Sequence, residues 1–394
     1  MNIKIIAAVI VVILVAAGVG AFVLLQEKDK DKEINILAEV NTDGSGIYID
    51  SGIDENTMFD YSTTVPTPIK SGWEGKIFGT PGTATIQHVQ LLSIVEGMGM
   101  TFAAYTISGG NSAPNTVYYT TGISNASLAL GSDIINGGSL WQPQFQKIID
   151  DKNQKRDFKK LALTNELFPG HVCCVIAGYH GYTSTHENET ARFLAAYVKA
   201  TDWVNSALSN KTGADYALLI SIAKDATGST FTEAEIKAAL DTVVYDYGEH
   251  TIENSLVFLR SEIASLAENL VQLGQTPGKT LSTLGFNNGA EFAEKFVDNS
   301  FLMKAYQLLG SGGTYSGGIA DLRVAVISGD IHQISVHVAK ELGYFTEYGL
   351  NVTFSPATNG PGVATAIQNG DASFGLLGAP PLTTTVINGE LVKA

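Results

Sequence analysis

The sequence predicts an α/β protein built from mixed sheets flanked by helices, and three observations carry that reading. Residues 321–391 run strand, helix, strand, helix, strand, helix, the order that packs helices onto a parallel sheet. Short apolar runs alternate with helical patterns again between residues 34 and 209. The chain has 394 residues, 45% of them hydrophobic, which suffices for two lobes of ordinary domain size.

Within 321–391, residues 322–327 form an apolar run ended by Ser328-Gly329-Asp330, the signature of a buried strand. Ile334, Val338, Leu342 and Phe345 then recur at near-helical spacing until Gly343 and Gly349 break the pattern. Residues 351–354 read as a second strand, 358–362 (TNGPG) as a loop, and 363–368 as a helix closed by Asn369-Gly370. Residues 373–377 make a third strand, and Pro380-Pro381 opens another helix, where a missing N–H costs little. Ligands of such sheets sit beyond the C-terminal strand ends. Here those ends offer Ser328, Gly329, His332 and Gln333 after one strand, and Gly378 and Ala379 after another.

The formal charge of −15 disfavours nucleic acid, whose phosphates an acidic surface repels. Residues 5–25 carry no charge and, at about 1.5 Å per residue, are long enough to cross a bilayer. They are expected to be an uncleaved transmembrane helix (anchor 1–26), joined to the rest by the charged linker 27–33. The adjacent Cys173 and Cys174 allow no long-range disulfide within the chain and read as small buried residues of a strand at 171–177. The seven histidines and scattered acids show no metal-ligand spacing, and neither G-x-x-x-x-G-K-S/T nor G-x-S-x-G occurs, so no cofactor and no metal are expected.

In chain order, residues 34–40 (INILAEV) form a strand, and extended structure resumes at 47–49 after a polar turn. Residues 76–79 form a short strand, followed by the loop Pro81-Gly82-Thr83-Ala84-Thr85 and a helix carrying Val89, Leu92 and Val95. A helix N-terminus reached through a Gly/Thr loop offers free N–H groups and a positive dipole end to an anion, although an ordinary cap gives the same pattern. Residues 101–107 are expected as a strand, 120–131 as a helix and 147–160 as a solvated polar face. Later helices are expected at 190–208, 216–226, 232–245, 252–273 and 290–309, with a capping box at Thr232-x-x-Glu235. Residues 310–318 (GSGGTYSGG) read as a flexible linker.

The stretch ELGYFTEYGLNVTF, the stretch NGDASFGLLGAPP and the spacing between them resemble the nitrate/sulfonate/taurine substrate-binding proteins of ABC importers. The resemblance implies a two-lobed, periplasmic-binding-protein-like (type II) fold. It implies extracytoplasmic capture of a small anionic or zwitterionic ligand, handed to an ABC permease and its ATPase. It also raises the interest of the 81–85 loop: Thr85 and His88 fall where sulfonate and taurine binders tend to carry Ser and His, while Ala84 and Gln87 depart from that pattern. Trp141-Gln142-Pro143 resembles the family's W-E-P segment, whose Trp often packs on ligand, with Gln142 in place of the acid. Asn41, Thr83, Thr85, His88 and Trp141 therefore complete the expected ligand-binding set.

The segment that opens such proteins comes last here. A circular permutation through the 310–320 linker, or a swapped or repeated fragment, would explain it. The expected division is 34–74 as strand and hinge of lobe one, 75–170 as lobe two, 171–309 as the return to lobe one, and 321–394 as the lobe-one core, with 34–49 assigned to lobe one. An enzyme of thiamine-pyrimidine synthesis, which shares the fold, is the alternative; His171, Cys173 and Cys174 are its attraction, with no third partner visible in the sequence. A ligand-sensing receptor domain is a further alternative.

Overall fold

The structure is a computed structural model, and it describes residues 34–152, 156–228, 230–248, 252–298, 300–312 and 315–388. The expected membrane anchor and charged linker lie outside the described residues. Among the described residues no helix is long and apolar enough to cross a membrane.

Two six-stranded mixed sheets organise the described residues. The first contains β1 (Ile34–Asp43), β10 (Val172–Tyr179), β11 (Val243–Tyr245), β12 (Ala320–Ile327), β13 (Leu350–Ala357) and β14 (Phe374–Gly378), in the order β11-β1-β10-β14-β12-β13. The second contains β2 (Ser45–Asp50), β5 (Ile77–Gly79), β6 (Thr101–Ala104), β7 (Thr116–Thr120), β8 (Gly137–Trp141) and β9 (Phe158–Leu163), in the order β6-β7-β5-β8-β2-β9. β3 (Phe59–Asp60) and β4 (Thr67–Pro68) form a small separate ladder.

Strand β12 pairs in parallel with β13 and β14, and β14 pairs antiparallel with β10, which pairs antiparallel with β1. The strand from the end of the chain and the strand at residue 34 thus share one sheet. Helices cover both faces of it. One face buries Leu37, Ile176, Val324 and Leu376 against α2 (Glu187–Ser209), α3 (Ala214–Thr227), α4 (Glu233–Leu240) and neighbouring helices. The other buries Ile36, Val175, Ala325 and Leu377 against α5 (Ile252–Gln272), α6 (Gly289–Phe296), α9 (Gly360–Gln368) and α10 (Ala379–Ile387). The second sheet carries α1 (Ile86–Gly97) over Ile47, Ile49 and Phe78 on one face, and Tyr48, Leu140 and Phe158 pack on the other.

Several elements differ from the sequence reading, each for a physical reason. Residues 45–50 belong to the second sheet rather than to lobe one. Asp43 and Gly44, both at positive φ, turn the chain out of β1 and directly into β2. The expected solvated face at 147–160 ends in β9, an edge strand that buries Phe158, Leu161 and Ala162 while its lysines face outward. Residues 243–245 leave the expected helix to form the edge strand β11, as a run rich in Val favours. The expected helix over 290–309 is two helices, α6 and α7 (Ser300–Gly310), separated where Val297 bridges to Ile36. Tyr315, in the expected flexible linker, is seated with its ring 3.8 Å from the Arg192 guanidinium carbon.

Candidate functional site

The chain crosses between the sheets at two adjacent places. One is the Asp43-Gly44 step from β1 to β2; the other runs from β9 through Phe168 and His171 into β10. The two crossings touch: His171 Nδ1 lies 3.2 Å from Asp43 Oδ1, and the Asp43 N–H donates to the His171 carbonyl at 3.3 Å. Above them, between the sheets, lies a cleft cavity of about 440 Å³, a size suited to a small organic ligand.

The second sheet contributes the 81–85 loop and Trp141 to this cavity. Thr85 caps α1, accepting from the His88 N–H at 3.4 Å and donating its hydroxyl to the Gly82 carbonyl at 2.7 Å. The first-turn amides of α1 have no preceding helical carbonyl to bond, so they present donors at the cavity wall. The first sheet contributes Asp330 and His332, Asn359 and Gly360 at the start of α9, and Gly378 and Pro381 at the start of α10. Among the described residues, no lysine or arginine lines the cavity.

Cys173 and Cys174 form its floor. Across β1–β10, Asn41 pairs with Cys174 and Thr42 with Val172, which leaves Cys173 as the extra residue of a bulge. A bulge can turn two successive side chains to one side; here both cysteines line the cavity, free and with sulfurs 3.7 Å apart. The Cys174 contact and the nearby imidazoles of His332 and His171 outweigh burial and hold the Cys173 thiol down at about 6. The same pairing and burial push Cys174 upward.

His332 is fully bonded. Its Nδ1 is 2.6 Å from Asp330 Oδ1 and its Nε2 is 3.0 Å from the Gly44 carbonyl. Both partners are acceptors, so both ring nitrogens carry protons and the imidazole is cationic. Burial opposes that charge, but Asp330, Cys173 and the two hydrogen bonds override it and raise its pKa to about 9. The positive charge at the cleft is therefore already engaged by Asp330.

Of the residues expected from the sequence, Thr83, Thr85, Trp141, His332 and Gly378 meet at this cavity. Ser328, Gly329, Gln333, Ala379, Asn41 and His88 are not in its lining. Gln333 is tied into the first sheet, accepting from the Ile327 N–H at 2.9 Å and donating to the Leu376 carbonyl at 2.9 Å. Asn41 donates to the Thr42 and Asp43 carbonyls at the crossing. His88 is buried against Phe102 and Tyr119 with Nδ1 3.2 Å from Thr80 Oγ1, and burial lowers its pKa to about 4. Sequence reasoning missed Asp330 and Asn359, and it read Cys173 and Cys174 as core. The nearest available signal was Asp330-x-His332, an acid two residues before an imidazole after a strand end.

The comparisons with known proteins bear on the part of the chain that supplies half of this cleft. Residues 331–394 match the model of the family described as NMT1/THI5 like. The resemblance read from residues 321–391 is borne out over residues 331–391. Among solved structures, the chain is similar to the ligand-binding component of an ABC-type import system from Staphylococcus aureus with zinc bound. The identity there is 15%, 71% of this chain and 77% of that chain are covered, and the TM-score is 0.42. No curated protein matches the chain. The matched residues supply His332, Asn359 and Gly378 to the cleft, while Thr85, Trp141, Cys173 and Cys174 come from outside them.

Proposed function

We propose that this chain is the extracytoplasmic solute-binding component of an ABC importer, carrying a small anionic or zwitterionic ligand between its two sheets to a membrane permease and its ATPase. The observation that carries this reading is the convergence of Thr83, Thr85 and Trp141 from one sheet with His332 and Gly378 from the other on a single cavity above two adjacent crossings. In that arrangement a ligand touching both sides favours the closed form by its differential affinity for it. Among the described residues no lysine or arginine lines the cavity, so an acidic group is held by the N–H groups that open α1, while the indole of Trp141 covers an apolar portion. The segment order supports a circular permutation: β12 to β14 occupy the sheet begun by β1, and the 310–318 run joins them to the preceding helices. The test is a thermal-shift screen of nitrate, taurine, alkanesulfonates, bicarbonate and pyrimidine compounds. A hit is expected to lose affinity in Thr85→Ala and Trp141→Ala, and a hit indifferent to both substitutions would remove the cleft from the reading.

A second reading, an enzyme on the same fold, is favoured by one observation. Cys173 has the partners the sequence did not reveal, since His332 and Asp330 line the same cavity. Consumption of a bound pyrimidine-type compound that stops in Cys173→Ser would favour this reading over transport.

A further inference from the structure

Asn-x-Ser/Thr triplets begin at Asn125, Asn188, Asn210 and Asn351. Such a triplet is the acceptor at which exported chains receive an N-linked oligosaccharide. Transfer needs two groups at the surface and free of other work: the side-chain amide nitrogen of the Asn and the hydroxyl two residues on. The four triplets differ in that respect.

At Asn188, on the first turn of α2, the hydroxyl is out of reach, because Thr190 is fully buried and its Oγ1 donates to the His186 carbonyl at 2.9 Å. At Asn351, in β13, the nitrogen is taken: Nδ2 donates to Asp321 Oδ1 at 2.7 Å. Asn125 is half-buried as the cap of the helix Ala126–Gly131, with Oδ1 accepting the Leu128 N–H at 2.9 Å, so its amide is held against that helix.

Asn210 meets both conditions. α2 ends at Ser209, and Asn210, Lys211 and Thr212 are all exposed. The Gly213 N–H donates to the Asn210 carbonyl at 2.9 Å, which folds the triplet into a tight turn. Within it Thr212 Oγ1 donates to Asn210 Oδ1 at 3.2 Å, and among the described residues Nδ2 is unengaged. Gly213 leaves it room, since a Cβ there would meet Nδ2 at 2.8 Å. A donor on the oxygen of an amide draws electrons towards that oxygen and makes the N–H more acidic, which helps the proton leave as the nitrogen attacks. Lys211 fastens the turn to the fold, with Nζ 2.7 Å from Asp241 Oδ1 just past α4. Residues 209–213 are not in the lining of the cleft, so a bulky group on them does not fill it.

We infer that Asn210 is an N-glycosylation site. Its Nδ2 attacks the anomeric carbon of an oligosaccharide carried on a polyprenyl phosphate or pyrophosphate. A carbon–nitrogen bond forms, the bond from that carbon to the phosphate oxygen breaks, the Nδ2 proton departs, and the polyprenyl phosphate or pyrophosphate leaves; nothing is oxidised or reduced. The inference rests on the extracytoplasmic reading, because such donors are consumed on that side of the membrane.

The test is mass spectrometry of protease peptides from the full chain, purified from its own cells. The peptide with Asn210 is expected to be heavier by a saccharide, and those with Asn125, Asn188 and Asn351 to have their plain masses. Thr212→Ala is expected to abolish the added mass although Asn210 is still present, and Thr212→Ser to keep it. Thr212 is exposed, so both variants should stay folded, which a cooperative melt checks. In parallel, a membrane-impermeant amine reagent on intact cells reports the side of the membrane. A chain labelled from outside with Asn210 bare overturns the site and leaves the extracytoplasmic reading standing; a chain that intact cells shield overturns both. A saccharide on any of the other three triplets, or one kept in Thr212→Ala, overturns the choice of Asn210 by its geometry.

Discussion

The Nε2 of His332 donates to the carbonyl of Gly44 across 3.0 Å, joining the strand end of one sheet to the residue at which the chain passes into the other. The same carbonyl accepts the Gln142 N–H at 2.9 Å, so one peptide oxygen ties the two sheets and the crossing together. Gly44 is at φ +86, and a Cβ there would run into the His332 ring. Gly44→Ala is therefore expected to destabilise the fold by at least about 2 kcal/mol, from backbone strain together with displacement of the imidazole. His332→Ala, which strands Asp330 in a buried position, is expected to cost about 3–5 kcal/mol. Urea unfolding of both variants checks the two values.

Stability is expected to rise to about pH 6.5, where the relief of two buried histidines outweighs one carboxyl, and to fall above it. Glu39 is buried in β1 with Oε1 unpartnered, and burial, then Asp246 and other acids, raise its pKa from 4.5 to about 8. A raised carboxyl binds a proton in the folded chain that it has lost in the unfolded one, so its contribution declines between pH 4.5 and 8. His332, raised to about 9, acts in the same direction: its contribution is complete below pH 6.5 and is lost as pH passes 9. Burial lowers His88 and His337 to about 4, so these two favour the fold increasingly from pH 4 to 6.5. Glu39→Gln should flatten the decline and gain on the order of a few kcal/mol at pH 8. A variant that kept the wild-type profile of melting temperature against pH would contradict the assignment.

In the cleft, Trp141→Ala should weaken a bound solute by about tenfold to a hundredfold, as expected for removal of an aromatic contact from a small cavity. Thr85→Ala removes the cap of α1 as well as a hydroxyl, so it should cost about 1 kcal/mol of stability and also reduce affinity. Calorimetric titration and thermal melts separate the two effects, and Gln333→Glu, outside the cavity lining, should disturb stability more than affinity.

The two thiols should differ sharply in reactivity. Cys173, held down at about 6 by Cys174 and the two imidazoles, should react with iodoacetamide at neutral pH, and Cys174 only at high pH. A solute in the cleft should slow the labelling of Cys173, because that residue lines the cavity. Mass spectrometry of time-resolved digests tests the order, and faster labelling of Cys174 would reverse it.

The C-terminal elements were legible because Gly, Pro and Asn punctuate nearly every boundary between residues 328 and 381. Strands β9 and β11 were not, since each sits at a sheet edge where charged or isolated residues interrupt the period of two. In the site, Thr83, Thr85, Trp141, His332 and Gly378 follow strand ends or a helix start and could be named from pattern. Cys173 and Cys174 could not, because the bulge that aims them depends on the register of β1 against β10.

The strand order bears on how the chain is born. The second sheet draws all its strands from residues 45–163 and can form while the ribosome is still at work. The first must hold β1 and β10 waiting for β14, which enters between β10 and β12 and is the last of its six strands to be made. Such distant pairings form slowly and leave apolar edges bare meanwhile. A nascent chain halted before residue 320 should therefore protect the second sheet from protease and leave the first open to it.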